Sequence, residues 1–336
     1  MLSMLRNALA LGFVLAIAVG CGGALDRETE TDEGDQGDGD GTGDGDGTGD
    51  GDGDGTGVAE RCSQIDFVFV VDDSGSMKEE QDNLAANFPD FISVIDNFVT
   101  DSGDPLDYRI AVTTSGRDIN YTVDPPETCV PVLGCVDPPG IESNERGDDG
   151  AFKQKCDMTR RWIERADADV PGTFSCAAKV GTGGPSIEMS LLTTEMALTE
   201  RMADGTNQGF LREDALLALV ILSDEDDCSR TDNNFTVESD QCHPEWPENV
   251  PIDHFTTTLD TIKGERGRWA AAVIAGPNNC SSQFGDALNA RRLQQFASET
   301  GTNGVFSSIC QGDLSGALAD ALETFDAACE AFPPVE

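Results

Sequence analysis

The chain has no Cys-x-x-Cys pair, no Gly-x-Ser-x-Gly, no Gly-x-x-x-x-Gly-Lys loop, and only two histidines, His243 and His254, in 336 residues. The first absence disfavours zinc ribbons and dithiol redox chemistry. The next two remove the hydrolase nucleophile elbow and the phosphate-cradling loop of nucleotide-binding enzymes. Neither histidine stands in an acid/base or zinc-ligand spacing, so an enzymatic reading has no anchor. Basic residues are scarce, 21 Lys+Arg against 63 Asp+Glu for a net charge of −42, which excludes an electrostatic role on nucleic-acid phosphates. Long apolar runs are missing too: Ala8–Val19 is the longest at 12 residues, and a bilayer span needs about 20.

That run follows Arg6 and leads into Gly20 and Cys21, the layout of a secretory signal over residues 1–20. Ala18-Val19-Gly20-Cys21 resembles the lipobox of bacterial lipoproteins, which implies cleavage before Cys21 and lipidation of its thiol. Ala18 stands where Leu is usual, and ordinary secretion is the alternative. Residues 21–58 form an acidic Asp/Gly-rich tract, with Gly at nearly every second position from Gly37 to Gly57. It offers no apolar surface to bury and is expected to be a disordered tether, about 35 Å long as a coil and about 120–130 Å when stretched. Its 13 acids against Arg27 account for −12 of the charge, and the residues beyond 54 carry −31. Asp50, Asp52, Asp54 and Gly55 match the first half of a calcium loop, but Arg61 falls where the bidentate acid belongs, so spacer is the better reading.

Eleven cysteines less Cys21 leave ten, the even number that five disulfides in an oxidising compartment require. Connectivity is not encoded in the count. Neighbours in order suggest Cys129–Cys135, Cys156–Cys176, Cys228–Cys242 and Cys280–Cys310, with Cys62 and Cys329 left to join the two ends. The last pair has a geometric motive: Leu314, Leu318, Leu322, Phe325 and Cys329 share one helical face, which turns Cys329 inward.

Beyond residue 59 the pattern alternates. Ile65–Val71, Ala215–Leu222 and Trp269–Ala275 are nearly unbroken apolar runs, as strands covered on both faces are, and Tyr108–Thr114 and Val305–Ser308 are shorter candidates. Helical spacing joins Leu84, Phe88, Phe91, Ile95 and Phe98, then Ile187, Leu191, Leu198 and Met202, then residues 284–299. The fold class is therefore α/β, an open, mostly parallel sheet with helices on both faces. The domain occupies residues 59–336, with a disulfide-stapled insertion at about 117–180 whose one helical stretch is placed at Met158–Ala166.

Ligands of such sheets bind where strands end. Val71 leads into Asp72-Asp73-Ser74-Gly75-Ser76, Leu222 into Ser223-Asp224-Glu225-Asp226-Asp227, and Val180-Gly181-Thr182-Gly183-Gly184 precedes a helix starting near Ser186. These loops offer hydroxyls and carboxylates, hard donors suited to Mg²⁺, Mn²⁺ or Ca²⁺. With that arrangement the body resembles a von Willebrand factor type A domain, and Asp72-x-Ser74-x-Ser76 matches the family's metal-ion-dependent adhesion site. The resemblance implies that Ser74 and Ser76 hold a divalent cation, Mg²⁺ foremost, through their hydroxyls, with Thr182 a third hydroxyl. It implies that Asp72 and Asp224 bind directly or through water. The Thr182 loop and Ser223-Asp224-Glu225 depart from the family's commoner Thr-x-Thr-Gly and Thr-Asp-Gly, and Ser186 is the alternative third hydroxyl. Without the resemblance, Asp72 would merely end a strand and Ser74 and Ser76 cap a helix. Glu225, Asp226 and Asp227 are expected to be a solvated loop, with a second cation site as the alternative.

Taken together, these features describe a non-enzymatic, lipid-anchored protein of the bacterial cell envelope, at the outer membrane or cell surface. Its partner would be a protein, or a surface polymer, that offers a carboxylate to the cation. It would touch the membrane through its lipid alone and would bind no nucleic acid. Two alternatives stand: a structural lipoprotein whose metal only stabilises the fold, and a metal-dependent hydrolase, for which no general base is evident.

Overall fold

The computed structural model describes residues 62–333 apart from 101, 131–133, 137 and 240. The signal at 1–20, Cys21 and the tract at 21–58 lie outside the described residues.

In chain order the elements are β1 (Gln64–Val71), α1 (Lys78–Asp96), β2 (Asp107–Thr114), β3 (Ile119–Val123), β4 (Thr128–Val130), β5 (Gly134–Val136), β6 (Ile141–Glu145) and β7 (Ile163–Glu164). They continue with α2 (Val170–Ala177), α3 (Ser190–Leu198), α4 (Glu200–Ala203), β8 (Leu216–Leu222), β9 (Asn234–Val237), α5 (Ile252–Lys263) and β10 (Trp269–Ala275). The last are β11 (Cys280–Ser281), β12 (Asp286–Ala287), α6 (Arg291–Thr300), β13 (Gly304–Ser308) and α7 (Ser315–Glu330).

The central sheet has the order β13-β10-β8-β1-β2-β7. Its first five strands run parallel, and β7 pairs antiparallel with β2 at one edge. Alternation along β1 divides the core. Ile65, Phe67, Phe69 and Val71 pack with α1, α2 and α7, while Val68 and Val70 pack with residues of α3, α5 and α6. A sheet covered on both faces explains why its strands carry unbroken apolar runs. The fold is thus the open, mostly parallel α/β sheet that the type A resemblance implies.

Asp66, the polar break between Ile65 and Phe67 in β1, is fully buried and held at the sheet's other end by Arg212, whose backbone N–H (2.7 Å) and Nε (2.8 Å) both donate to it. Burial pushes its carboxyl up and the Arg212 charge pulls it down, with burial prevailing.

Five disulfides join Cys62–Cys329, Cys129–Cys135, Cys156–Cys176, Cys228–Cys242 and Cys280–Cys310. The segment at 117–180 is more than an overlay. Its β3 pairs with β6 and with β9, a strand from outside the segment. Its α2 drives Phe174 into the main core against Phe69 and Phe88.

The helix expected at Met158–Ala166 is not formed. Ile163 and Glu164 instead extend the sheet beside β2, and Asp167 holds the turn by accepting from Glu164 N (2.9 Å) and Arg160 (2.7 Å). The helix comes later, at α2, capped by Asp169 accepting from Gly172 N with Pro171 in its first turn. Likewise the helix expected over 284–299 starts only at Arg291, because 284–290 enclose β12, which forms a hairpin with β11.

Candidate metal centre

β1 is the point at which the chain order reverses, with β2 on one side and β8 on the other, and the loops that leave β1 and β8 meet at their carboxyl ends. Asp72 N donates to Leu222 O at 3.0 Å, fastening the two loop origins together. The Asp72 side chain is fully buried. Its Oδ1 accepts from Ser74 N (2.8 Å) and from the Ser115 hydroxyl (3.3 Å), and its Oδ2 from the Ser223 hydroxyl (2.6 Å). Asp72 is therefore the hub that locks the loops after β1, β2 and β8 in register.

Ser74 and Ser76 place their hydroxyl oxygens 3.4 Å apart. Neither caps α1, whose first turn follows Met77 with no side-chain cap, so the helix-capping account of these serines does not hold. The Ser76 hydroxyl lies within hydrogen-bonding reach of the Asp224 carboxylate and lowers its proton affinity, but burial outweighs it and pushes Asp224 up to about 7. Asp224 is 2% exposed and its Oδ1 has no hydrogen-bond partner.

Four of the five expected metal residues, Asp72, Ser74, Ser76 and Asp224, thus lie along one crevice. Thr182 sits in an exposed loop pinned from both sides: Gln81 Nε2 donates to Gly181 O (2.7 Å) and to Asp72 O (2.9 Å), and Gly184 N donates to Asp73 O (2.8 Å). A Cβ on Gly184 would come within 2.3 Å of the Asp73 carboxylate, so that glycine is required for the close approach. Ser186 turns away from the crevice, its N–H (2.7 Å) and hydroxyl (3.2 Å) both donating to Glu145.

More acid lines the crevice than the loop motifs foretell. Asp73 and Glu80 are nearly buried, each keeps one oxygen without a partner, and burial raises both to about 7. Glu188, 1% exposed, has neither carboxylate oxygen hydrogen-bonded. Burial first, and then the charges of Asp72, Glu225 and Asp224, push it well above the usual carboxylate range. Gln81, Ser115, Ser223 and Glu188 were all missed by motif reasoning. Of these only Ser223, beside the expected Asp224, had a signal in its loop.

The donor set tests what fits. Two adjacent hydroxyls and buried, unpartnered carboxylate oxygens are hard oxygen donors, and uncompensated buried charge is costly unless a cation is held. A divalent cation fits this crevice. Asp72, Ser74, Ser76 and Asp224 are the residues that would hold it. Elsewhere, Glu127, Cys129 and Cys135 cluster at the surface, but both thiols are spent in a disulfide.

Asp226 and Asp227 are not the solvated run expected of them. Asp226 accepts from Arg292 N (3.0 Å) and Leu293 N (3.2 Å), capping α6 from a distant loop. Asp227, fully buried, accepts from Leu191 N at the start of α3 (2.9 Å) and from the Arg292 guanidinium (3.1 Å). Burial raises Asp226 to about 6 against the helix N–H groups that pull it down. Asp226→Ala is expected to cost about 1–2 kcal/mol, the usual worth of such a cap, read as a lower urea midpoint at unchanged slope. An unchanged midpoint would refute the capping role.

The histidines stay with local partners: His254 Nε2 lies 2.9 Å from Glu195 on the surface, and His243 Nδ1 accepts from Glu245 N at 3.3 Å.

Fold and site together define an α/β domain with an oxygen-lined, acid-rich crevice at the switch point of its sheet. No protein-family profile matches the sequence, and no curated protein matches it. Among solved structures it is similar to proximal thread matrix protein 1 of the mussel byssus, at 12% identity and TM-score 0.38 over 81% of this chain and 50% of that one. A second structure of the mussel protein, with a zinc-occupied MIDAS motif, matches at 14% identity and TM-score 0.36 over 80% and 46%. Manganese-loaded TRAP protein of Plasmodium vivax matches at 12% identity and TM-score 0.34 over 78% of this chain and 75% of that one. This chain spans about half the length of the mussel protein.

Proposed function

We propose that the chain is a non-enzymatic cell-envelope protein that grips another protein through a divalent cation held in the crevice. The observation that supports it is the convergence of Asp72, Ser74, Ser76 and Asp224, with Asp224 Oδ1 buried and unpartnered. When bound, the cation supplies an electrophile that attracts a carboxylate from the partner. The chain's own residues prepare that encounter. Ser74 and Ser76 contribute neutral donors, which leave the positive charge unquenched. Ser115 and Ser223 hold Asp72 by hydrogen bonds, and Gln81 sets the Thr182 loop at the rim. Ser76 and Thr182 are exposed and face an incoming ligand, while Asp72 and Asp224 are not.

Mg²⁺ is the first expectation, with Mn²⁺ and Ca²⁺ as the other hard ions of suitable size. Export through the signal at 1–20, a lipid on Cys21 and the acidic tract at 21–58 would display the domain away from the bacterial membrane, at the outer membrane or cell surface. The five disulfides accord with an oxidising compartment, and no helix among the described residues is long and apolar enough to cross a membrane.

Capture of envelope proteins by wild type is compared with capture by Asp72→Ala, each with Mg²⁺ and with EDTA, alongside calorimetric Mg²⁺ titration. Capture lost with either the chelator or the substitution is expected. Capture indifferent to both would sink the cation-bridged mechanism, and Mg²⁺-dependent melting without capture would favour a purely structural metal.

A further inference from the structure

Glu188 lies two residues before α3 and is not among the residues that the loop motifs assign to the cation. Its backbone is fixed from two sides. Its carbonyl accepts from Cys228 N at 2.7 Å, in the segment after β8, and the next residue, Met189, donates its N–H to Ser115 O at 3.1 Å, just beyond β2. The Ser115 hydroxyl in turn donates to Asp72 Oδ1. Glu188 is thereby suspended beside the hub of the crevice, and the charges that act on it most strongly are those of three acids, Asp72 from the end of β1 and Glu225 and Asp224 from the loop after β8.

The state of the oxygens then separates supports from free donors. Asp72 has both oxygens engaged by Ser74, Ser115 and Ser223. Asp224, Asp73 and Glu80 each keep one oxygen without a partner, whereas Glu188 keeps both Oε1 and Oε2 free at 1% exposure. A buried carboxylate with no donor is strongly disfavoured in its charged form, and three neighbouring acids make that worse. Of the hydroxyls expected from the third loop, Ser186 is bound to Glu145 and Thr182 lies at the exposed rim, as Ser76 does, so the buried oxygens that this part of the chain brings to the crevice are those of Glu188.

We propose that Glu188 is a direct ligand of the divalent cation, supplying a buried oxygen from the segment between the Thr182 loop and α3, with Asp72 a positioning residue and Asp224 a second carboxylate ligand. This rests on the cation-site reading above. The carboxylates of Glu188 and Asp224 and the two serine hydroxyls leave positions for water or an outside ligand on an ion that takes six or more oxygens.

The test uses the full chain, with Mn²⁺ as the titrated ion and Eu³⁺ luminescence lifetimes in H₂O and D₂O to count bound waters. Glu188→Gln keeps the shape and removes the charge. It is expected to weaken Mn²⁺ binding roughly tenfold or more and to change the Eu³⁺ hydration number. A merely structural Glu188 would leave the hydration number alone. Should Glu188→Gln not fold, Glu188→Asp tests the same point, with an intermediate loss of affinity expected from the shorter carboxylate. Mn²⁺ affinity within twofold of wild type and an unchanged hydration number in the folded variant would overturn the proposal. Asp72→Ala separates the two levels: if it too leaves Mn²⁺ affinity unchanged, the cation-site reading itself fails, whereas if it alone abolishes binding, only the role of Glu188 falls.

Discussion

Divalent cation added to the metal-free protein at pH 8 is expected to raise its melting temperature by about 10 °C or more, and the same addition at pH 5 by much less. The reason is the sign of the carboxyl shifts in the crevice. Burial raises Asp224, Asp73 and Glu80 each to about 7, from ordinary values of 3.8, 3.8 and 4.5. Between about pH 4 and pH 7 the metal-free folded protein therefore holds protons that the unfolded chain has released. Stability tied to these groups is present at the acid end of that window and is lost as pH rises through about 7. A carboxyl raised from 3.8 to about 7, as at Asp224, corresponds to roughly 4 kcal/mol. A cation replaces those protons above pH 7 and competes with them at pH 5. Melting curves in EDTA from pH 4 to 8, repeated with saturating Mg²⁺, measure both effects. A flat pH dependence in EDTA, or an equal gain from Mg²⁺ at pH 5 and pH 8, would refute the assignment of this crevice as the cation site.

The second large effect belongs to the link between the two ends of the domain. Cys62 precedes β1, and Cys329 lies in the last turn of α7 after a sequence separation of 267. The pair is also joined by a hydrogen bond from Cys62 N to Cys329 O at 3.1 Å. On the chain-entropy account, closing so long a loop restricts the unfolded state by roughly 5–6 kcal/mol at most, against about 2 kcal/mol for the Cys129–Cys135 loop of separation 6. Replacing Cys62 and Cys329 together by Ser is expected to lower the melting temperature by about 10–20 °C. The corresponding change at Cys129 and Cys135 should lower it by a few degrees. Equal losses in the two variants would show that loop length does not govern the effect here.

What the residues disclosed follows from the range of the forces involved. The three central parallel strands, β1, β8 and β10, were legible because burial on both faces writes a nearly continuous apolar run, as in Leu216–Leu222. The first metal loop was legible because Asp72, Ser74 and Ser76 are contiguous. Asp226 and Asp227 looked like a solvated run because their partners, Leu191 and Arg292, lie 36 and about 65 residues away along the chain. Local spacing cannot register a helix capped from so far off. Glu188 escaped for a related reason: one acid ahead of a helix is ordinary, and only the absence of hydrogen bonds to its buried oxygens sets it apart. The strand at Ile163–Glu164 was misread because two residues are too few to establish a period against a flanking Arg- and Glu-rich stretch.

The placement of Cys62 also has a mechanical meaning. A force entering the chain there meets a covalent bond to the final helix before it meets any strand, so it is shared between the middle of the sheet and its last element at once. Beyond that junction β1 is laddered to β2 over eight residue pairs and to β8 over seven, all parallel to the pull. Those ladders would have to shear together, whereas an edge strand could be peeled bond by bond. The crevice lies at the far end of the same strand, in line with the load, so a ligand held there would pull along the most strongly braced path in the domain.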